Sequence, residues 1–180
     1  MAEPLALTPL ALTLGEPAGI GPDITIAAWL RRDELNLPPF YLLGDRACLD
    51  RRAKALGVAL RVADVTAEEA ADVFSKALPI VATGETATAE PGRPDDSSAP
   101  AALASIRQAV GDIRAGRALA IVTNPIAKNV LYRAGFTYPG HTEFLAELAA
   151  TGGKAPQPVM MLWSPCLAVV PVTIHLALRE

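Results

Sequence analysis

Four stretches of this 180-residue chain concentrate side chains that could do chemistry. The first, GEPAGIGPDIT (Gly15–Thr25), sets three glycines between an apolar run and a helical pattern. Glycine lets backbone amides approach a ligand, and a helix N-terminus favours anions. The spacing is G-x-x-x-G-x-G and not the G-x-G-x-x-G of dinucleotide-binding turns, so a plain strand-to-helix turn is the simpler account. Asp23 falls in a first helical turn, where a carboxylate suits the helix dipole.

The second stretch, TNPIAKN (Thr123–Asn129), follows a short apolar run. Ligands of open α/β sheets gather at the carboxyl ends of strands, where Thr123, Asn124 and Lys128 would offer a hydroxyl, an amide and an ammonium. An Asn-Pro turn with a solvated lysine accounts for it as well. In YPGHTEF (Tyr138–Phe144), Pro139-Gly140 makes a turn, and His141 and Thr142 start a helix. Both side chains could donate to a phosphate or carboxylate beside the free amides of that terminus; Thr142 as a mere cap is the other reading. The fourth feature is His175, near the end of an apolar strand pattern. Imidazole suits zinc, cobalt and similar divalent ions. The chain has 2 histidines, and a catalytic zinc takes about three protein ligands, so His175 cannot make a site from this sequence alone.

These residues need a scaffold, and the alternation of short apolar runs with helical patterns supplies one. Strands are expected over Leu10–Leu14, Phe40–Gly44, Ala59–Val62, Leu78–Ala82 and Ala118–Val122. Helices are expected from near Pro22, from Asp45 as cap through Leu56 with Gly57 as the stop, and from Thr66 through Phe74 behind a Thr66/Glu69 capping box. Further helices should run from a Ser98 cap to about Ala115, from the TNPIAKN loop to Gly135, and from Thr142 to near Gly152. Pro158–Trp163 and Cys166–Ile174, joined by a Ser-Pro turn, read as an antiparallel pair. Thr83–Ser98 is polar and turn-rich, which predicts a surface loop or arm. The order implies an α/β sheet covered on both faces.

Composition narrows the function classes. At 51% hydrophobic, the chain can build a core and is not a disordered segment. A net charge of −3 and a pI near 5.4 argue against wrapping nucleic acid. No apolar run approaches the roughly 20 residues of a membrane span. The N-terminal MAEPLALTPL has no basic n-region and carries Glu3, so no signal peptide is expected. Cys48 and Cys166 are far apart and match neither a zinc spacing nor a disulfide framework. The expected location is cytoplasmic, with no membrane or nucleic-acid partner.

Taken together and in order, GEPAGIGPDI, TNPIAKNVL, GHTEFLAE, VMML and VTIHLALRE resemble the 4-hydroxythreonine-4-phosphate dehydrogenase family of pyridoxal phosphate biosynthesis. The resemblance spans Gly15 to Glu180 and implies a three-layer α/β/α fold of the isocitrate/isopropylmalate dehydrogenase-like type, truncated after the first half. Residues 1–180 would then be a single incomplete α/β unit, the family's C-terminal part being absent. The resemblance implies a homodimer with its site at the subunit interface. It implies NAD- or NADP-dependent oxidation of 4-phosphohydroxy-L-threonine to a β-keto acid, which loses carbon dioxide to give 3-amino-2-oxopropyl phosphate. A divalent metal (zinc, cobalt or magnesium) would assist, with His175 as one of three histidine ligands. His141 and Thr142 would bind the phosphorylated substrate. Lys128 is a further substrate-side guess, and Gly19 and Gly21 are assigned to the cofactor by analogy. No catalytic acid or base is identified. The chain alone is expected to be inactive. The alternatives are a family paralogue acting on threonate or erythronate phosphates, and a non-catalytic phosphate-binding α/β domain.

Overall fold

The structure is a computed structural model that describes residues 8–172. It divides into a first compact unit that runs to Thr137 and a second that starts at Tyr138.

The first unit is built on five parallel strands: β1 (Leu10–Thr13), β2 (Phe40–Gly44), β3 (Val62–Asp64), β4 (Leu78–Ala82) and β5 (Ile121–Val122). Their order across the sheet is β3-β4-β2-β1-β5. β1 pairs with β2 from Leu10↔Phe40 to Thr13↔Leu43, and with β5 through Ala11↔Ile121 and Leu12↔Val122. The connections carry α1 (Gly21–Leu30), α2 (Arg46–Leu56), α3 (Ala70–Val73) and α4 (Ser98–Arg114), and α5 (Lys128–Arg133) follows β5. The chain moves from β1 outwards to β3, then returns through β4 to β5 on the far side of β1. Right-handed crossovers therefore place α1 and α2 on one face and α3 and α4 on the other.

The side chains confirm this layering. Alternate residues of a strand face opposite sides. Leu12, Phe40, Leu42, Leu78 and Ile80 pack with Ile26 and Trp29 of α1 and Leu49 of α2. Ala11, Tyr41, Leu43 and Val81 pack with Ala70 of α3 and Ala109 of α4. The Trp29 indole N–H donates to the Phe74 carbonyl at 2.9 Å, which lets the ring be buried. Tyr41 is fully buried, and its hydroxyl donates to Asp112 at 2.7 Å. Asp112 also accepts from Arg117 at 2.8 Å. Neither cysteine is in a disulfide: Cys48 is buried, which pushes its thiol pKa up, and Cys166 is exposed.

Several elements fall where the sequence places them. β2 and β4 have the expected bounds, and α2 starts behind Asp45, whose carboxylate accepts from the Ala47 N–H at 3.0 Å, and stops at Gly57. Others are corrected. β3 lies two or three residues later than Ala59–Val62, because its register is set by β4, with Val62 opposite Leu78. β5 pairs over two residues and not five; ahead of it the Leu119 N–H donates to the Pro9 carbonyl and the Ala120 carbonyl accepts from the Ala11 N–H, each at 2.9 Å. Of the expected capping box, one half forms: Glu69 accepts from the Thr66 N–H at 2.9 Å and from its hydroxyl at 3.1 Å, yet α3 begins only at Ala70. α4 opens behind Ser97, not Ser98, where Asp95 accepts from the Ser97 N–H at 2.8 Å. Residues 83–97 do form a loop, but a latched one. Ala87 is buried, its N–H donates to Asp45 at 3.0 Å, and its carbonyl accepts from Arg51.

The second unit contains α6 (His141–Leu148), which ends before the expected Gly152 because Gly152 and Gly153 form a turn closed by a Thr151–Lys154 bridge. An antiparallel hairpin of β6 (Leu162–Ser164) and β7 (Leu167–Val169) follows. The pairing is antiparallel as expected but much shorter, and the turn is at Pro165–Cys166, one residue beyond the expected Ser-Pro. Every residue of both strands is exposed. Among the described residues no helix is long and apolar enough to cross a membrane.

Candidate functional site

The strand order reverses at β1. In an open parallel sheet, the crevice at such a reversal, outside the carboxyl ends of the strands, is the usual ligand position. Here the loops that leave β1 and β5 meet at that point. These are the glycine turn and the TNPIAKN loop, so two of the four sequence stretches come together in space.

Their contact is intimate. Gly15 has φ +70°, and a Cβ there would lie 2.6 Å from the Pro125 carbonyl and 2.7 Å from the Asn124 side chain. At Gly21 a Cβ would meet the Leu14 carbonyl at 2.7 Å. The Glu16 N–H donates to the Pro125 carbonyl at 2.8 Å. Of the two readings of its motif, ligand donor or Asn-Pro turn, Asn124 fits the second: it is 4% exposed and turned inward. Its carboxamide nitrogen donates to the Thr13 carbonyl and the Thr25 hydroxyl, each at 2.9 Å. Its backbone N–H donates to the Thr13 hydroxyl at 3.1 Å, and the Thr25 hydroxyl donates to the Gly21 carbonyl at 2.9 Å.

Further bonds hold the turn from outside. Arg52 of α2, 7% exposed, donates to the Pro17 carbonyl at 2.9 Å and forms an ion pair with Asp23. The Gly92 N–H reaches the Ala18 carbonyl at 2.8 Å, which ties the 83–97 loop to the turn. Within the turn, Glu16 is 6% exposed, its carboxylate accepts from the Ala18 N–H at 3.0 Å, and its carbonyl accepts from the Gly19 N–H at 2.9 Å. The amides of Glu16, Ala18 and Gly19 are thus bonded within the protein. The glycines have a packing reason of their own, close backbone approach, beside the ligand reading. Sequence reasoning missed Arg52, since nothing distinguishes it from its neighbour Arg51 until the fold places it under the turn.

Lys128 is exposed at the first position of α5, directly after the second loop. Below these loops, between α1 and the β1–β5 edge, lies an almost wholly apolar cavity of about 340 Å³. Ile24, Leu12 and Val122 line it, together with Thr123.

In the second unit, His141 and Thr142 are the first two residues of α6, both half-buried, behind the extended Gly140. Phe144, one turn on, is 3% exposed and packs its ring against Tyr138 with centroids 5.1 Å apart, which anchors that helix start. The terminal amides of a helix favour an anion, and a hydroxyl and an imidazole stand beside them. The expected metal ligand, His175, lies outside the described residues. Among the described residues, no group of three His, Cys, Asp or Glu side chains could hold a metal ion.

Known proteins place this arrangement. The sequence pattern of the pyridoxal phosphate biosynthetic protein PdxA matches residues 36–180. A 4-hydroxythreonine-4-phosphate dehydrogenase from Bradyrhizobium diazoefficiens is 74% identical over 97% of this chain and 53% of its own length. One from Xanthobacter autotrophicus is 55% identical over 96% of this chain and 49% of its own. The crystal structure of a 4-hydroxythreonine-4-phosphate dehydrogenase from Burkholderia phymatum superposes with a TM-score of 0.84 at 27% identity, covering 95% of this chain and 51% of that one. The structure of another from Klebsiella pneumoniae gives 0.76 at 29% identity, covering 96% and 51%. The chain therefore spans about half the length of the relatives it matches. With a family match over most of its residues, and the three-layer fold and parallel sheet on the page, the chain belongs to the PdxA family.

Proposed function

We propose that the complete polypeptide containing this chain catalyses the NAD- or NADP-dependent oxidation of 4-phosphohydroxy-L-threonine. The hydroxyl carbon gives a hydride to the nicotinamide and its oxygen gives up a proton. The resulting β-keto acid loses carbon dioxide to leave 3-amino-2-oxopropyl phosphate. The observation that carries this reading is the 74% identity, along nearly the whole chain, to a relative bearing that activity in its name.

The described residues support parts of it. His141 and Thr142 are proposed to hold the substrate phosphate, because a helix start with a hydroxyl and an imidazole suits a dianion. Lys128 is proposed as an added positive charge on the substrate side. Gly19 and Gly21 are proposed for the cofactor side through the shape of their turn, since several of its amides are already bonded. His175 is proposed as one ligand of a divalent metal (zinc, cobalt or magnesium). Such a metal supplies Lewis-acid polarisation of the substrate oxygen when bound. The described residues gather no donor set for it.

We also propose the isocitrate/isopropylmalate dehydrogenase-like variety of the three-layer fold. The two compact units are read as parts of one incomplete α/β assembly, with a cytoplasmic location and a homodimer whose site lies at the subunit interface. The 180-residue chain by itself is proposed to be inactive. The experiment is turnover of 4-phosphohydroxy-L-threonine with NAD and with NADP, followed by nucleotide reduction, for both the complete polypeptide and residues 1–180. Reduction by the complete polypeptide alone is expected. No reduction by the complete polypeptide with either nucleotide would sink the reading, and turnover by residues 1–180 would overturn the assignment of inactivity.

A further inference from the structure

We propose that Asn124 is a positioning residue: its buried carboxamide joins the glycine turn after β1 to the loop that carries Lys128, so that the two move as one body.

The sheet alone does not fix the second loop. Among the described residues β5 contributes two paired residues and has one strand neighbour, which leaves the chain after Val122 weakly held by the ladder. Asn124 replaces the missing pairing. It ties the loop to the last residue of β1 through Thr13, and to the second turn of α1 through Thr25. Both threonines are fully buried. Thr25 passes the connection to the Gly21 carbonyl at 2.9 Å. The missing side chains of Gly15 and Gly21 make room for the Asn124 Cβ, which a Cβ on either would approach to 2.7 and 3.1 Å. The glycines and the asparagine are thus one fitted joint between the two motifs. A short polar side chain with a donor aimed at two acceptors is required. Aspartate has the right shape but would set a carboxylate against the Thr13 carbonyl.

The joint stands on geometry; its catalytic consequence rests on the dehydrogenase reading. In the complete polypeptide, Asn124→Ala is compared with wild type, alongside Thr25→Val and Thr25→Ser. Amide exchange over residues 15–21 and 123–128 is measured together with KM and kcat per folded molecule. In Asn124→Ala both segments are expected to exchange at least about tenfold faster, in step, with residues 40–56 unchanged. KM for the nucleotide is expected to rise about tenfold with kcat within about threefold. Thr25→Ser should keep wild-type values and Thr25→Val should move towards Asn124→Ala. Faster exchange in only one segment overturns the joint. Coupled exchange with unchanged KM, or a mere loss of folded protein, overturns the positioning role. A wild-type protein that does not turn over would defeat the dehydrogenase reading, and exchange alone would then decide whether the loops are coupled.

Discussion

The sheet of the first unit and the hairpin of the second are both made of apolar strands, yet one is buried and the other is not. In β2 all five residues are buried, with Leu42 and Leu43 fully so. In the hairpin, Leu162 is 60% exposed, Trp163 73% and Leu167 64%. The difference lies in what surrounds each strand. β2 has strands on both sides and helices on both faces. Among the described residues each hairpin strand has only the other as a partner, and a lone two-stranded hairpin is marginal in water. An apolar run shows that a strand wants cover and does not show whether the described chain provides it.

Truncation should expose that contrast at its strongest. Leu42→Ala leaves a cavity in a fully buried central strand and should cost about 3 kcal/mol. Trp163→Ala removes a larger but exposed side chain and should change stability by less than about 0.5 kcal/mol. Urea denaturation of the 180-residue chain reads both. A cost above about 2 kcal/mol for Trp163→Ala would mean that the hairpin is covered after all, and the comparison would break.

Two glycines sharpen it at a smaller scale. Gly15 and Gly153 both have left-handed backbone, φ +70° and +76°. A Cβ at Gly153 meets nothing within 4 Å, whereas at Gly15 it meets Pro125 and Asn124 below 3 Å. Gly153→Ala should therefore cost only the conformational strain, about 1 kcal/mol. Gly15→Ala should cost about 2–3 kcal/mol, because overlap within a packed joint is added. Equal costs in thermal unfolding would mean that the joint yields, contrary to the tight packing of the two loops.

What the sequence disclosed follows the same division. Elements defined by local chemistry were legible: Asp45 and Gly57 bracket α2, and the unbroken FYLLG and LPIVA runs are β2 and β4. Elements defined by a neighbour were not. The position of β3 depends on its register against β4, and the two-residue extent of β5 on its pairing with β1, neither of which a local pattern carries. The site divides likewise. His141 and Thr142 stand at a helix start, as Pro139-Gly140 suggested. Asn124 could be read equally as a ligand donor after a strand or as part of an Asn-Pro turn. Its real partners, Thr13 and Thr25, are 111 and 99 residues away, a distance no motif spans. Arg52 under the glycine turn was equally hidden.

A last contrast concerns the polar groups that the first unit buries. Tyr41 is fully buried, and its hydroxyl bonds to Asp112, which Arg117 also holds. Burial first, and then that hydrogen bond to a carboxylate, pushes the phenol pKa well above its usual value. The neutral phenol is therefore favoured in the folded state, and the unfolded chain loses this proton first, near pH 10. Below about pH 10 the contribution is fully present, and it declines as pH rises from there towards the folded-state pKa. Tyr41→Phe removes the bond while leaving Asp112 its arginine, so at neutral pH the variant should be less stable by about 1 kcal/mol. Because phenylalanine does not titrate, the gap should close as pH is raised above about 10, and the wild type should fall towards the variant. Urea midpoints for both proteins, taken on either side of that pH, measure it. A gap that stays constant or widens would mean that the hydroxyl ionises in the folded protein at least as readily as in the unfolded one, and the buried Tyr41–Asp112–Arg117 chain would not be the closed structural network its geometry describes.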